Sequence, residues 1–125
     1  MGVVVKAVCG ACKGQWQCET GCGIMHGEIE GVLPLFPEGI RRQIEAAIGN
    51  RAFPAFTFAY QLSCCGHCGS IESVPVLKLT DIGKEYTGVC GKCWQNTELI
   101  ENIEDTPCPV CHKKALTVEE TGIWD

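Results

Sequence analysis

Eight of the eleven cysteines in this chain form four Cys-x-x-Cys units, a spacing typical of metal ligands. Two thiolates three positions apart on a tight turn can both face one ion, and two such turns supply four tetrahedral ligands. Four units in 125 residues therefore predict two Cys₄ sites, each holding one Zn²⁺. In chain order, we name the units the first (Cys9/Cys12), second (Cys65/Cys68), third (Cys90/Cys93) and fourth (Cys108/Cys111) knuckle.

The pairing of the knuckles is open to two interpretations. An internal repeat, with Val8–Cys12 reading VCGAC and Val89–Cys93 reading VCGKC, indicates that each of these segments opens a ribbon. On that basis we predict that the first knuckle pairs with the second and the third with the fourth. The alternative pairs the second knuckle with the third, across a predicted hairpin of Val74–Leu79 and Lys84–Val89.

Iron is the alternative to zinc as the metal of these sites. Four cysteine sulfurs in a tetrahedron suit zinc or iron. Trp94 follows the third knuckle directly and Tyr86 lies shortly before it, and aromatic side chains shield the iron of rubredoxin-like proteins. Iron-based electron transfer is therefore the alternative to structural zinc.

Two knuckles also match other motifs. Cys65–Cys68 reads CGHC, the redox pair of disulfide isomerases, but a strand pattern follows it where that chemistry needs a helix. Cys108–His112 matches a c-type haem attachment pattern, which normally requires export. We interpret both segments as metal knuckles, with His67 and His112 facing solvent.

The segment CETGCGIMHG contains three further candidate ligands. Cys18, Cys22 and His26 are spaced four residues apart, and a third, open metal site or a thiol enzyme could use them. The glycines of the segment argue against the helix that would align these side chains. Buried or loop thiols are the simpler interpretation, and Cys64 is expected to be a buried strand residue.

Composition and charge argue against one class of function, nucleic-acid binding, and for stabilisation by metal. The formal net charge is −5, and eight thiolates with two Zn²⁺ would bring it to −9. Nucleic-acid binding depends mainly on Lys and Arg contacts to phosphates, so it is not expected. Small chains with few aromatic residues usually need staples, which here would be metal ions.

The cysteines also bear on the compartment. The apolar run Val3–Val5 is broken by Lys6, so a signal-peptide core is not indicated, and no apolar stretch is long enough to span a membrane. An odd cysteine count fits disulfides badly. We expect a cytoplasmic protein with reduced, metal-binding thiols.

One helix and several strands would position these residues. The helix opens at Pro37–Ile40, carries an apolar stripe and ends at Gly49-Asn50. The stripe consists of Ile40, Ile44, Ala47 and Ile48. The predicted strands are a segment of alternating aromatic residues from 56 onward, after Phe53, and the segments Thr97–Glu101 and Ala115–Glu119. We expect the helix to pack on the ribbons.

The predicted fold is a small metal-stabilised α+β protein of tandem zinc ribbons, made of short antiparallel strands with one inserted amphipathic helix. Residues 1–80 would form the first ribbon, with the insertion at about 18–60, and residues 81–125 the second, and we expect both in one compact unit. Folding should require zinc.

The chain resembles small, uncharacterised bacterial zinc-ribbon proteins in the order of its parts. The shared features are a leading Cys-x-x-Cys, the Gly-x-Gly of Gly21–Gly23, an amphipathic helix, a strand beginning Tyr60-Gln61-Leu62, Cys108–Cys111, and the ending Gly122–Asp125. The resemblance implies a zinc-ribbon fold and metal binding, with no settled activity. We expect a non-enzymatic module that binds another protein.

Overall fold

The computed structural model describes residues 2–23, 26–51 and 54–124, which form mostly antiparallel β-structure. The elements are β1 (Gly2–Cys9), β2 (Gln15–Gly21), α1 (Ile29–Val32), α2 (Glu38–Ile48), β3 (Phe56–Cys65), β4 (Ser70–Leu79), β5 (Lys84–Thr87), β6 (Glu98–Leu99) and β7 (Leu116–Trp124). The strand order is β5-β4-β3-β2-β1-β7, and β6 also pairs with β3. Within the described ranges, no helix is long and apolar enough to cross a membrane.

Two hairpins carry the first and second knuckles at their tips. β1 pairs with β2 as far as Val8↔Gln15, so the chain reverses through the first knuckle. β3 pairs with β4 as far as Cys65↔Ser70, so the second knuckle is the turn of that hairpin. The local hydrogen bonding of a tight turn therefore fixes each of these cysteine pairs.

Two further strand pairings carry the remaining knuckles. β7 pairs with β1 in a register that sets Leu116 opposite Cys9, and this brings the fourth knuckle to the first. β4 and β5 form the hairpin expected from the alternation of residues 74–89, with Gly83 at φ 68° in its turn. This hairpin returns the chain to the third knuckle, beside the second.

The first hydrophobic cluster lies beside the cysteines of the first and fourth knuckles. Val5 and Ala7 of β1 are buried with Ile71 of β4, and Leu62 of β3 packs against them. Cys9 and Cys108 belong to the same cluster and are fully buried. These two thiols are therefore held by apolar packing as well as by their turns.

The second cluster lies under the helix predicted from the sequence. α2 spans Glu38–Ile48, follows Pro37 and ends at Gly49 with φ 61°, as expected. Ile44 is fully buried in one cluster with Phe58 and Leu77 of the sheet, and the rest of the apolar stripe packs against that cluster. The expectation that this helix packs on the strands is confirmed.

Other expectations hold only in part. The predicted strand Thr97–Glu101 is reduced to Glu98–Leu99, and the one beginning at Ala115 extends to Trp124. Phe53 lies outside the described residues. Antiparallel strands with an inserted helix are present, whereas the tandem arrangement of two ribbons is not confirmed, and the division at residue 80 stays a prediction.

Candidate metal centres

The eight knuckle cysteines converge in two groups of four sulfurs. Centre 1 consists of Cys9, Cys12, Cys108 and Cys111, and centre 2 of Cys65, Cys68, Cys90 and Cys93. Within each group all four sulfurs lie within 4.8 Å of one another. The Sγ–Sγ distances are 3.6 Å for Cys9–Cys111, 3.7 Å for Cys12–Cys108, 3.5 Å for Cys65–Cys93 and 3.5 Å for Cys68–Cys90.

These separations fit a tetrahedral ion. Four sulfurs at about 2.3 Å from a central Zn²⁺ lie about 3.8 Å apart along each edge of the tetrahedron. The four Sγ–Sγ distances of 3.5–3.7 Å are close to that value. Each group could therefore hold one metal ion with little rearrangement.

The predicted sequential pairing is wrong. The structure pairs the first knuckle with the fourth and the second with the third, so the alternative based on the hairpin of residues 74–89 is confirmed. The repeat between Val8–Cys12 and Val89–Cys93 reflects the shape of one turn, and any two such turns can share an ion. The strand partners decide which turns meet, because β1 pairs with β7 and the β4–β5 hairpin returns to the second knuckle.

All four knuckles share one backbone conformation. The residue after the second cysteine has a positive φ in each, and its N–H donates to the carbonyl oxygen of the first cysteine at 2.9–3.0 Å. These residues are Lys13 (φ 65°), Gly69 (φ 67°), Trp94 (φ 62°) and His112 (φ 63°). The sequence gives little sign of this shared position, since only one of the four residues is glycine.

Each centre has a buried side and an exposed side. The first cysteine of every knuckle is at most 1% exposed, whereas the second cysteines are exposed or half-buried. The backbone N–H of Cys12 lowers the pKa of Cys9 to about 6 against the opposing effect of burial, and the N–H of Cys68 does the same for Cys65. The turn amides thus favour the thiolate form that binds metal.

Centre 2 has a neighbouring carboxylate, which no motif in the sequence indicates. Glu72 Oε2 accepts hydrogen bonds from Cys90 Sγ and from the Gly91 N–H, both at 3.0 Å. Burial, together with this carboxylate, raises the pKa of Cys90 to about 12. Glu72 ties β4 to the third knuckle and stands where it can accept the Cys90 proton when a metal ion binds.

The structure does not bring Cys18, Cys22 and His26 together. The buried Cys18 thiol donates to the Ile71 carbonyl at 3.6 Å, and Cys22 packs against the second hydrophobic cluster. His26 Nδ1 accepts from the Gly23 N–H at 2.8 Å. Among the described residues, centres 1 and 2 are the only groups of three or more candidate ligands with all their donor atoms this close.

Cys64 and the two knuckle histidines lie outside both centres. Cys64 belongs to β3, as expected, but it is half-buried where full burial was predicted. His67 and His112 are exposed, as predicted. The CGHC segment forms a hairpin turn and begins no helix, so the interpretation of this segment as a knuckle agrees with the structure.

The fold and the cysteine geometry together define the class: a small, mostly antiparallel β protein with two zinc-ribbon-like cysteine centres. Comparison of the chain with protein-family models, with curated proteins and with solved structures gave no match.

Proposed function

We propose that this chain is a zinc-binding protein whose two Cys₄ centres are structural. The convergence of eight sulfurs into two groups at tetrahedral spacing is the observation that carries the proposal. Each group already offers four ligands, and a closed four-ligand set is typical of structural zinc, whereas catalytic zinc keeps an open position. The order of motifs, which resembles that of bacterial zinc-ribbon proteins, points to the same assignment.

Zinc is favoured over iron by the surroundings of centre 2. A rubredoxin-like role needs an iron centre shielded by aromatic side chains, but Trp94 is 70% exposed. Tyr86 packs into the second hydrophobic cluster under α2. Neither aromatic residue therefore supplies the shield that the iron alternative assumed.

The metal is tested by growing the protein with iron and then with zinc. Two zinc ions per chain and a colourless protein are expected in both preparations, as measured by metal analysis and visible absorption. Chelation should unfold the chain, which circular dichroism would show, because structural zinc contributes folding free energy directly. Unchanged circular dichroism after complete removal of the metal would contradict a structural role.

We also propose that the module acts by binding another protein. Trp94 projects from the third knuckle in a backbone conformation that bulky residues rarely adopt. It lines a cleft of about 350 Å³ with Pro34, Leu35 and Val89. Exposed tryptophans often carry most of the binding energy of protein interfaces, so this surface is the leading contact site.

Trp94→Ala tests this surface, with Val110→Ala as a matched control because Val110 is also exposed, at 58%, on another knuckle. Both immobilised variants would be compared with the parent protein in a lysate of the native cell. We expect a captured protein to be retained by Val110→Ala and lost by Trp94→Ala. Equal capture by both variants would exclude the Trp94 surface.

A further inference from the structure

A cleft of about 520 Å³ lies between the second and fourth knuckles. Four side chains of metal-ligating type line it without belonging to either Cys₄ centre: Cys64, His67, Glu98 and His112. The two knuckles approach each other closely here, since a Cβ placed on Gly69 would lie 3.5 Å from the Pro109 carbonyl oxygen. The cleft is therefore bounded by two turns that each carry cysteines of one of the two centres.

The strands set two of these side chains next to each other. Cys64 and Glu98 are directly opposite partners in the β3–β6 pairing. Side chains of opposite residues point to the same face of a sheet, with Cβ atoms about 4.5–5.5 Å apart. Cys65 is the next residue along β3 and contributes to centre 2, so the alternation of the strand turns Cys64 away from that centre.

The two knuckles supply the histidines. His67 follows Cys64 at the Cys-x-x-His spacing, across the turn of the second knuckle. His112 enters the cleft from the fourth knuckle, where its φ of 63° belongs to the shared turn conformation. Both side chains are exposed, so each can change rotamer without disturbing a packed core.

We propose that this cleft is a third zinc site, open to solvent and distinct from the two Cys₄ centres. One thiolate, two imidazoles and one carboxylate form a donor set that Zn²⁺ accepts. As they stand, no three of the four donor atoms lie within 4.8 Å of one another, so binding requires both histidine side chains to change rotamer and close on Cys64 and Glu98. Such a site holds an exchangeable ion, whereas centres 1 and 2 hold structural ones.

The test starts from protein already loaded with two zinc ions and adds Co²⁺, a spectroscopic probe for zinc sites. A third ion should bind with a thiolate-to-cobalt absorption band, and brief alkylation followed by mass spectrometry should show Cys64 protected by it. Cys64→Ser should abolish the band. His67→Ala/His112→Ala should weaken binding by about tenfold or more, the loss seen even for partners one step removed from a metal.

Cys22→Ser is the matched control, because Cys22 is also half-buried but packs on the second hydrophobic cluster. It should keep the third ion and its band. A parent protein that takes up no third ion, or a band that survives in Cys64→Ser, would overturn the proposal. In either case two zinc ions would remain bound, so the structural assignment of centres 1 and 2 is tested separately.

Discussion

The pairing of the knuckles predicts a measurable difference between the two centres. In centre 1 the sulfurs that meet are separated by 102 and 96 positions in the chain, and in centre 2 by 28 and 22 positions. Closing a longer loop removes more entropy from the unfolded chain. Loss of the ion from centre 1 should therefore destabilise the protein more than loss of the ion from centre 2.

The size of the difference follows from the ratio of these separations. The loops differ by about fourfold, which is two doublings at about 0.6 kcal/mol each. Cys111→Ser and Cys93→Ser are a matched pair, because both residues are half-buried second cysteines of their knuckles. We expect Cys111→Ser to lower the free energy of unfolding by about 1 kcal/mol more than Cys93→Ser does.

The assay combines zinc analysis with urea unfolding at a fixed free zinc concentration. Cys9→Ser and Cys111→Ser should each release one zinc ion, and the double variant should release no more. Cys9→Ser/Cys68→Ser should release two. Loss of only one ion from that last variant would support sequential pairing. If Cys93→Ser destabilised the protein more than Cys111→Ser, the loop-length argument would be refuted, but the pairing of the knuckles would stand.

Three further predictions concern residues outside the centres. Gly2→Ala should lower the free energy of unfolding by about 1–3 kcal/mol in urea melts, because the added Cβ would overlap the indole ring of Trp124 in β7. Gly39→Ala in α2 is the control: its Cβ meets no atom within 4 Å, so this variant should not be destabilised. Burial lowers the pKa of His26, so as the pH drops below about 6.5 the unfolded chain binds a proton on this imidazole before the folded chain does, and stability falls. In thermal melts the His26→Asn variant should lose less stability over this pH range than the parent protein, and an equal loss would contradict the prediction. In zinc-loaded protein Cys18 should be alkylated more slowly than Cys22, because Cys18 is only 7% exposed and burial raises the pKa of its thiol. Mass spectrometry after brief alkylation would follow both residues, and faster alkylation of Cys18 would refute its burial.

The sequence by itself determined the features that depend on neighbouring residues. The Cys-x-x-Cys spacing identified eight candidate ligands, and the structure gathers these same eight into two groups. The apolar stripe and the terminal Pro37 and Gly49 gave the limits of α2. Such signals are readable because a turn or a helix is specified by residues a few positions apart.

Only the tertiary structure decided which knuckles meet. The VCGAC and VCGKC segments are alike because they build the same turn, and that likeness carries no information about partners. The partners follow from β1 pairing with β7 at the other end of the chain and from the return of the β4–β5 hairpin. The β4–β5 hairpin could be read from residues 74–89, and it offered the pairing of the second knuckle with the third as the alternative. The pairing of β1 with β7 joins distant parts of the chain, and no local pattern of residues encodes it.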